Sequence, residues 1–322
     1  MLAVRKIGHG IGNIEVQEVP EPQAGPEQVV VRVDSAGICG TDLHIYLDEF
    51  ETAPPVTMGH EVAGRVVEVG KNVAGWKVGD RVTTETYFST CGRCFNCRCG
   101  RRNLCTERCS IGSKRDGGFA RYLVTPASNL HRVPDEVDLE SAALTEPLAC
   151  TVHGVLETAT VYAGDNVVIT GPGTIGLLAL QLAKVAGANV IMMGTSQDTE
   201  RLKLAKELGA DGAIDVQQTE NVAEVIADSF GTDGGDLVIE CSGAAPAIGP
   251  CGSKRSPADA EPGFQPGGSP VTSVGIVRGA GAWSGTRTSR LPLAQPAHSV
   301  IPDEVFGSDN RRAVHRWIVN RT

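Results

Sequence analysis

The sequence predicts two domains of unlike construction, a β-rich part over residues 1–150 and an α/β part with a parallel sheet from residue 151. Three observations carry that prediction. Short valine-rich runs punctuated by glycine and proline fill the first part. A strand, a G-x-G-x-x-G turn and an apolar-striped helix open the second. Strands and helices alternate after it, and 322 residues are enough for two separate cores.

In the first part, Gln28–Val33 and Val62–Val69 read as strands. Gly70-Lys71 and Gly79-Asp80 mark turns, and Pro20, Pro22, Pro26, Pro54 and Pro55 keep the intervening chain extended or looped. Between these strands lies a stretch dense in chemistry, Cys39-Gly40-Thr41-Asp42-Leu43-His44, then a loop, then Gly59-His60-Glu61. It has no long helical period. A catalytic zinc takes three protein ligands and keeps one position open. Cys39, His60 and one carboxylate would meet that count, and Gly40 and Gly59 flank the ligands, as close backbone approach requires. The plainer alternative is a buried cysteine beside two satisfied histidines.

Cys91, Cys94, Cys97 and Cys105 follow in the order C-x2-C-x2-C-x7-C. Four thiolates at short spacings let one loop wrap a tetrahedral structural zinc. Arg93, Arg98, Arg101 and Arg102 are expected to help hold the negative charge of that site. Free thiols and an iron–sulfur cluster are the alternatives. Cys99 and Cys109 stand outside the pattern, as spare thiols or substitute ligands.

The second part opens with the buried strand Asn166–Thr170 and the turn Gly171-Pro172-Gly173-Thr174-Ile175-Gly176. A helix with Ile175, Leu178, Ala179, Leu182, Ala183 and Ala186 on one face follows and stops at Gly187. Next come a strand at Asn189–Met193, a helix around Glu200–Leu208, and a strand at Asp236–Glu240 that ends in Cys241-Ser242-Gly243. In this setting the glycines allow a tight turn, admit a pyrophosphate to the backbone and let helix and strand pack closely. A βα turn with no ligand is the plain alternative. Gly171, Gly173, Thr174, Ile175, Gly176, Cys241 and Ser242 are the candidate cofactor contacts. The ribose-reading place, where an NAD site carries Asp or Glu, holds Gly194-Thr195-Ser196-Gln197, with Asp198 late. Thr195 and Ser196, with Arg201 nearby, suit a 2′-phosphate, so NADP is at least as well supported as NAD.

The net charge of −9 argues against nucleic acid and gives no basic face for a membrane. Met1–Lys6 lacks the apolar core of a signal peptide, and the apolar window 175–194 is broken by Gln181, Lys184 and Gly187. Ten cysteines fit metal ligation in a reducing compartment better than a disulfide framework. The expected location is cytoplasmic.

Together, Gly37-Ile38-Cys39-Gly40-Thr41-Asp42-Leu43-His44, Gly59-His60-Glu61, the four-cysteine lobe, Asp116-Gly117-Gly118-Phe119-Ala120, Glu146-Pro147-Leu148 and the glycine turn resemble the zinc-dependent medium-chain dehydrogenases, in that family's order. The resemblance covers roughly residues 1–248. It implies a GroES-like β-barrel catalytic domain, a Rossmann domain over 151–248, and an active site in the cleft between them. Glu146-Pro147-Leu148 with Val152-His153 is most similar to the sorbitol (L-iditol) dehydrogenase branch, whereas His44-Ile45-Tyr46 and Asp48-Glu49-Phe50 also resemble L-threonine 3-dehydrogenase. Both act on secondary alcohols. The resemblance implies two zinc ions per chain and hydride transfer from a polyol or related alcohol to NAD or NADP. Cys39 and His60 would bind the catalytic zinc, with either Glu61 or Glu146 as third ligand and the former preferred; Glu146 would then hold the zinc-bound water. Thr41 and His44 match the proton relay. His153 is given no role. The family is usually homo-oligomeric, a dimer or tetramer.

Residues 249–322 depart from the family. They are rich in Gly, Pro, Ser and Arg, which favours irregular chain over a packed sheet. Only Pro266-Gly267-Gly268 and Val274-Gly275-Ile276 echo an expected turn and strand. The expectation is a tail in a shifted reading frame or a divergent ordered insertion. A shifted frame would leave the Rossmann sheet incomplete and its subunit pairing in question, and would admit an inactive zinc-binding relic as a third reading.

Overall fold

The computed structural model describes residues 1–231 and 234–243, together with the backbone of two later strands, Ser273–Arg278 and Leu291–Pro292. The expectations for the rest of 249–322 lie outside the described residues. The chain divides into two compact units, the first over Met1–Glu146 and the second beginning at Pro147.

In the first unit an antiparallel sheet runs in the order Leu130–Arg132, Arg81–Thr84, Glu61–Val69, Gln28–Gly37, Tyr122–Pro126. Along these strands Val29, Val31, Val66, Val82 and Leu130 enter one apolar cluster, and Val33, Val62 and Leu123, joined by Ile111 from outside the sheet, enter another. The first strand outlasts its valine run. Pairing continues past two irregularities in register to Gly37↔Glu61, although Asp34 and Ser35 interrupt the apolar pattern. A smaller sheet joins Ile14–Glu18, Leu2–Lys6 and Val56–Thr57.

Within the Cys39–Glu61 stretch, Gly40–Tyr46 forms a helix too short to leave a periodic signature. Its far end is anchored by Lys6, whose side chain has no exposure to water. The Lys6 Nζ donates to the carbonyls of Gly10 (2.6 Å) and Gly12 (2.9 Å) and pairs with Asp48 at 3.6 Å. Asp48 also accepts from Gly10 N–H, while Gly12 N–H donates to the Tyr46 carbonyl. A buried ammonium is tolerable only when its donors are satisfied, as these are.

The second unit contains parallel strands in the order Gly212–Asp215, Asn189–Gly194, Asn166–Thr170, Leu237–Glu240. Helices Thr174–Val185, Thr199–Glu207 and Val222–Phe230 connect them. Val167, Val168 and Ile169 of the central strand are fully buried, because apolar clusters cover both faces of the sheet. The strand order reverses between Asn166–Thr170 and Leu237–Glu240, and open parallel sheets bind ligands at such a switch point. Ser273–Arg278 then pairs antiparallel with Leu237–Glu240, where a continued βα pattern would add a parallel strand.

Candidate active site

The pairing of Gly37 with Glu61 explains why residues distant in sequence converge. It brings the end of one strand, which leads into Cys39, beside the start of the next, which follows His60. The Cys39 thiol, a His60 ring nitrogen and a Glu61 carboxylate oxygen all lie within 4.8 Å of one another. None of the three residues is more than 9 % exposed. Gly59 has a φ of +89°, and a Cβ there would strike the Phe119 ring, so the approach to His60 requires glycine.

The electrostatics are those of a concentrated buried site. Burial pushes the Cys39 thiol up. Burial alone would lower His60, but Cys39, Asp42 and Glu146 together raise it well above its ordinary value. Glu61 is pushed up to about 7, by burial first and then by the charges of Glu146 and Asp42, against the pull of His60. Sequence reasoning gave Asp42 no role. It is buried, and its Oδ2 accepts the Cys39 N–H at 2.9 Å, which fixes the backbone of the thiol. The signal available was its place three residues after the helix-capping cysteine. Glu146, on the Thr145–Val152 helix, acts on His60 and Glu61 through its charge but lies outside the group of three.

Thr41 Oγ1 is 3.7 Å from the Cys39 sulfur. His44 is buried rather than at the surface, the usual setting of a lone histidine, and its Nδ1 donates to Glu49 Oε2 at 2.7 Å. That bond leaves Nε2 as the acceptor nitrogen of the neutral ring. In the sequence Glu49 counts only toward the resemblance of Asp48-Glu49-Phe50 to L-threonine 3-dehydrogenase.

The four sulfurs of Cys91, Cys94, Cys97 and Cys105 likewise lie within 4.8 Å of one another. Cys91 sits 3.6 Å from Cys105 and 4.0 Å from Cys97. Backbone N–H groups of Cys91, Cys94 and Cys97 each donate to a sulfur of the cluster at 3.4–3.5 Å. Such bonds draw the Cys91 thiol down to about 7, while burial first, and then its sulfur neighbours, push Cys97 up to about 11. Cys99 and Cys109 are outside the group. Two of the arginines expected to balance the thiolates are engaged elsewhere, Arg93 with Glu107 at 2.9 Å and Arg102 over the Tyr87 ring.

In the second unit, Gly171 has a φ of +83°, and a Cβ there would come within 2.7 Å of the Ser242 backbone. A Cβ on Gly176 would run into the Gly171 carbonyl. Gly173 caps the Thr174–Val185 helix without a side-chain bond, so Thr174 and Ile175 open a helix whose first N–H groups meet no capping side chain. Buried Glu240 ties this turn to its neighbour. Its carboxylate accepts from Thr170 Oγ1 (3.1 Å), Ser242 N (2.6 Å), Ser242 Oγ (2.5 Å) and Gly243 N (3.0 Å). The buried Cys241 thiol is pushed upward by burial. Thr195, Ser196 and Arg201 each donate to a carboxylate, of Asp198, Asp215 and Asp198 respectively. His153 pairs with Glu157 one helical turn on, at 2.6 Å.

Among the described residues no helix is long and apolar enough to cross a membrane. The alcohol dehydrogenase GroES-like domain family matches residues 25–135, and the zinc-binding dehydrogenase family matches residues 174–251. A sorbitol dehydrogenase from Halalkalibacterium halodurans is 49 % identical over 77 % of this chain and 71 % of its own. An L-threonine 3-dehydrogenase from Enterobacter sp. is 41 % identical over 73 % of this chain and 69 % of its own. Among solved structures, a chain described as a zinc-binding dehydrogenase from Sinorhizobium meliloti, bound to NADP, superposes with a TM-score of 0.71. It is 40 % identical, with 77 % of this chain and 71 % of that one covered. A GroES-like domain ahead of a Rossmann-type sheet, matched over these lengths, places the chain in the zinc-binding dehydrogenase family.

Proposed function

We propose that this chain oxidises a secondary alcohol of a polyol, of the sorbitol or L-iditol kind, and passes the hydride to a nicotinamide dinucleotide. The observation that carries the reading is the convergence of one thiol, one imidazole and one carboxylate at Cys39, His60 and Glu61. That donor set suits a catalytic zinc with a fourth position left for substrate, and the cysteine quartet suits a closed structural zinc, two ions per chain. When bound, the catalytic zinc supplies Lewis acidity, which lowers the pKa of an alcohol.

The chain's own residues supply the rest. Asp42 orients the Cys39 backbone, and Glu146 adds negative charge beside His60 and Glu61. Thr41, whose Oγ1 lies 3.7 Å from the Cys39 sulfur, receives the alcohol proton in this reading. His44 carries it onward, with its tautomer held by Glu49, which is partly exposed and able to return it to solvent. Gly171, Gly173, Thr174, Ile175, Gly176, Cys241 and Ser242 form the dinucleotide cradle. Cysteines grouped as metal donors suit a reducing, cytoplasmic setting.

Oxidation of L-threonine is the second reading, favoured by the similarity to L-threonine 3-dehydrogenases. Incubating the purified chain with NAD⁺ or NADP⁺ and sorbitol, L-iditol, other polyols or L-threonine, and following nicotinamide absorbance, separates the two. Zinc bound without turnover of any of these would mark an inactive relic.

A further inference from the structure

We infer that the first unit holds a second small-molecule site, separate from the triad, that takes an aromatic monocarboxylate on Arg115. A cavity of about 420 Å³ is lined on one side by the small sheet, through Met1, Arg5 and the chain after Ile14–Glu18. On the other side it is lined by Tyr122–Pro126, which among the described residues is the edge strand of the larger sheet. Cavities of this size hold drug-sized molecules. No member of the triad, of the quartet or of the glycine turn lines it.

Positive charge gathers around Asp116. Arg5 pairs with Asp116 at 3.6 Å and donates to the Pro55 carbonyl at 2.8 Å, and its buried Nε makes no hydrogen bond. Asp116 Oδ1 also accepts from Thr57 N–H at 2.7 Å, so this carboxylate is already engaged. Arg115, the next residue in the chain, is exposed, and its guanidinium lies 5.5 Å from the centre of the Phe88 ring. Among the described residues its side chain makes no hydrogen bond or ion pair, so its N–H fork is available.

The charges on the cavity wall fix the class of ligand. Met1 carries the amino-terminal ammonium, which donates to the Val19 carbonyl at 2.6 Å, and Glu21 offsets its charge. Arg5 offsets Asp116, and the charge of Arg115 is left over. One surplus positive charge suits a monoanion, and a phosphate dianion would exceed it. A guanidinium fork grips a carboxylate through two parallel N–H···O bonds. An exposed ion pair contributes little by itself, so a carboxylate without an apolar body would be held weakly. Phe88 and Tyr122 bring aromatic surface to the cavity, and Val19, Pro20, Pro22 and Leu123 bring aliphatic surface. A ring attached to the carboxylate buries itself there.

The test is calorimetric titration of the purified full chain with 2-naphthoate, acetate and the uncharged 2-naphthamide. It is run on the wild type, Arg115→Gln and Arg93→Gln. Arg93 is an exposed arginine outside the cavity, paired with Glu107. The wild type is expected to bind 2-naphthoate with a Kd of about 1 mM or lower, and acetate and the amide at least about tenfold more weakly. Arg115→Gln should weaken 2-naphthoate about tenfold and leave the amide unmoved, with Arg93→Gln like the wild type. Because the Arg115 side chain is exposed, its replacement should leave the melting temperature unchanged, which circular dichroism checks. No binding of 2-naphthoate up to about 20 mM overturns the site. Equal affinity in the wild type and Arg115→Gln also overturns it, since the acid is then held elsewhere, the triad included.

Discussion

The triad of Cys39, His60 and Glu61 and the quartet of Cys91, Cys94, Cys97 and Cys105 belong to one unit but are assembled in opposite ways. The triad is buried, mixed in ligand type, and depends on strand pairing to bring its members together. The quartet is held by one loop, lies nearer the surface, and consists only of sulfur, with backbone N–H groups supporting it locally. Three donors in a buried setting leave a coordination position for a substrate, whereas four thiolates close the sphere. Chemistry and local stability should therefore be separable by mutation.

The sharpest separation comes from Cys39→Ser or His60→Ala. Either should lower kcat/KM by about a thousandfold or more, about 4 kcal/mol of barrier, and reduce zinc by atomic emission from two ions per chain to one. Thermal unfolding should change much less. Cys94→Ser or Cys97→Ser should also remove one zinc, yet act first on the melting temperature, with a fall of roughly 5 °C or more. Activity measured well below that temperature should largely survive. Equal loss of activity from both sets of variants would collapse the distinction.

Smaller effects sharpen the description of the triad. Asp42→Asn keeps the shape but weakens the acceptor for Cys39 N–H, and should cost roughly tenfold to a hundredfold in zinc affinity, measured by chelator competition. Glu49→Gln should reduce kcat by about tenfold and shift its pH profile without altering zinc content, because among the described residues its side chain pairs with His44 and with no member of the triad. An unchanged pH profile would remove Glu49 from the proton path.

Legibility in the sequence followed the same division. The quartet could be read from spacing because its geometry is local. The glycine turn could be read because a strand, three glycines and a helix stand in unbroken order, and the structure adds only that Gly171 and Gly176 meet Ser242 and each other. The triad's ligand types were visible, but their convergence depends on the Gly37↔Glu61 pairing, which no local pattern announces. Least legible were the supporting contacts. Asp42, Glu49 and Glu240 act through hydrogen bonds to particular backbone or ring atoms, and Asp215 reaches Ser196 only because two parallel strands end side by side. The short helix Gly40–Tyr46 is not legible in the sequence, because fewer than two turns leave no period to detect.

Lys6 gives this arrangement an unexpected dependence on the beginning of the chain. Its ammonium secures Asp48, the immediate neighbour of Glu49, so slack introduced at the amino terminus is transmitted to the histidine's carboxylate partner without disturbing any ligand. Replacement of Lys6 by methionine, which fills similar space but carries no cation, should loosen amide protection across residues 46–50 before it alters global unfolding. Expression tags or trimmed starts that disturb the opening strand belong among the first suspects when a preparation turns over slowly yet holds its full complement of metal.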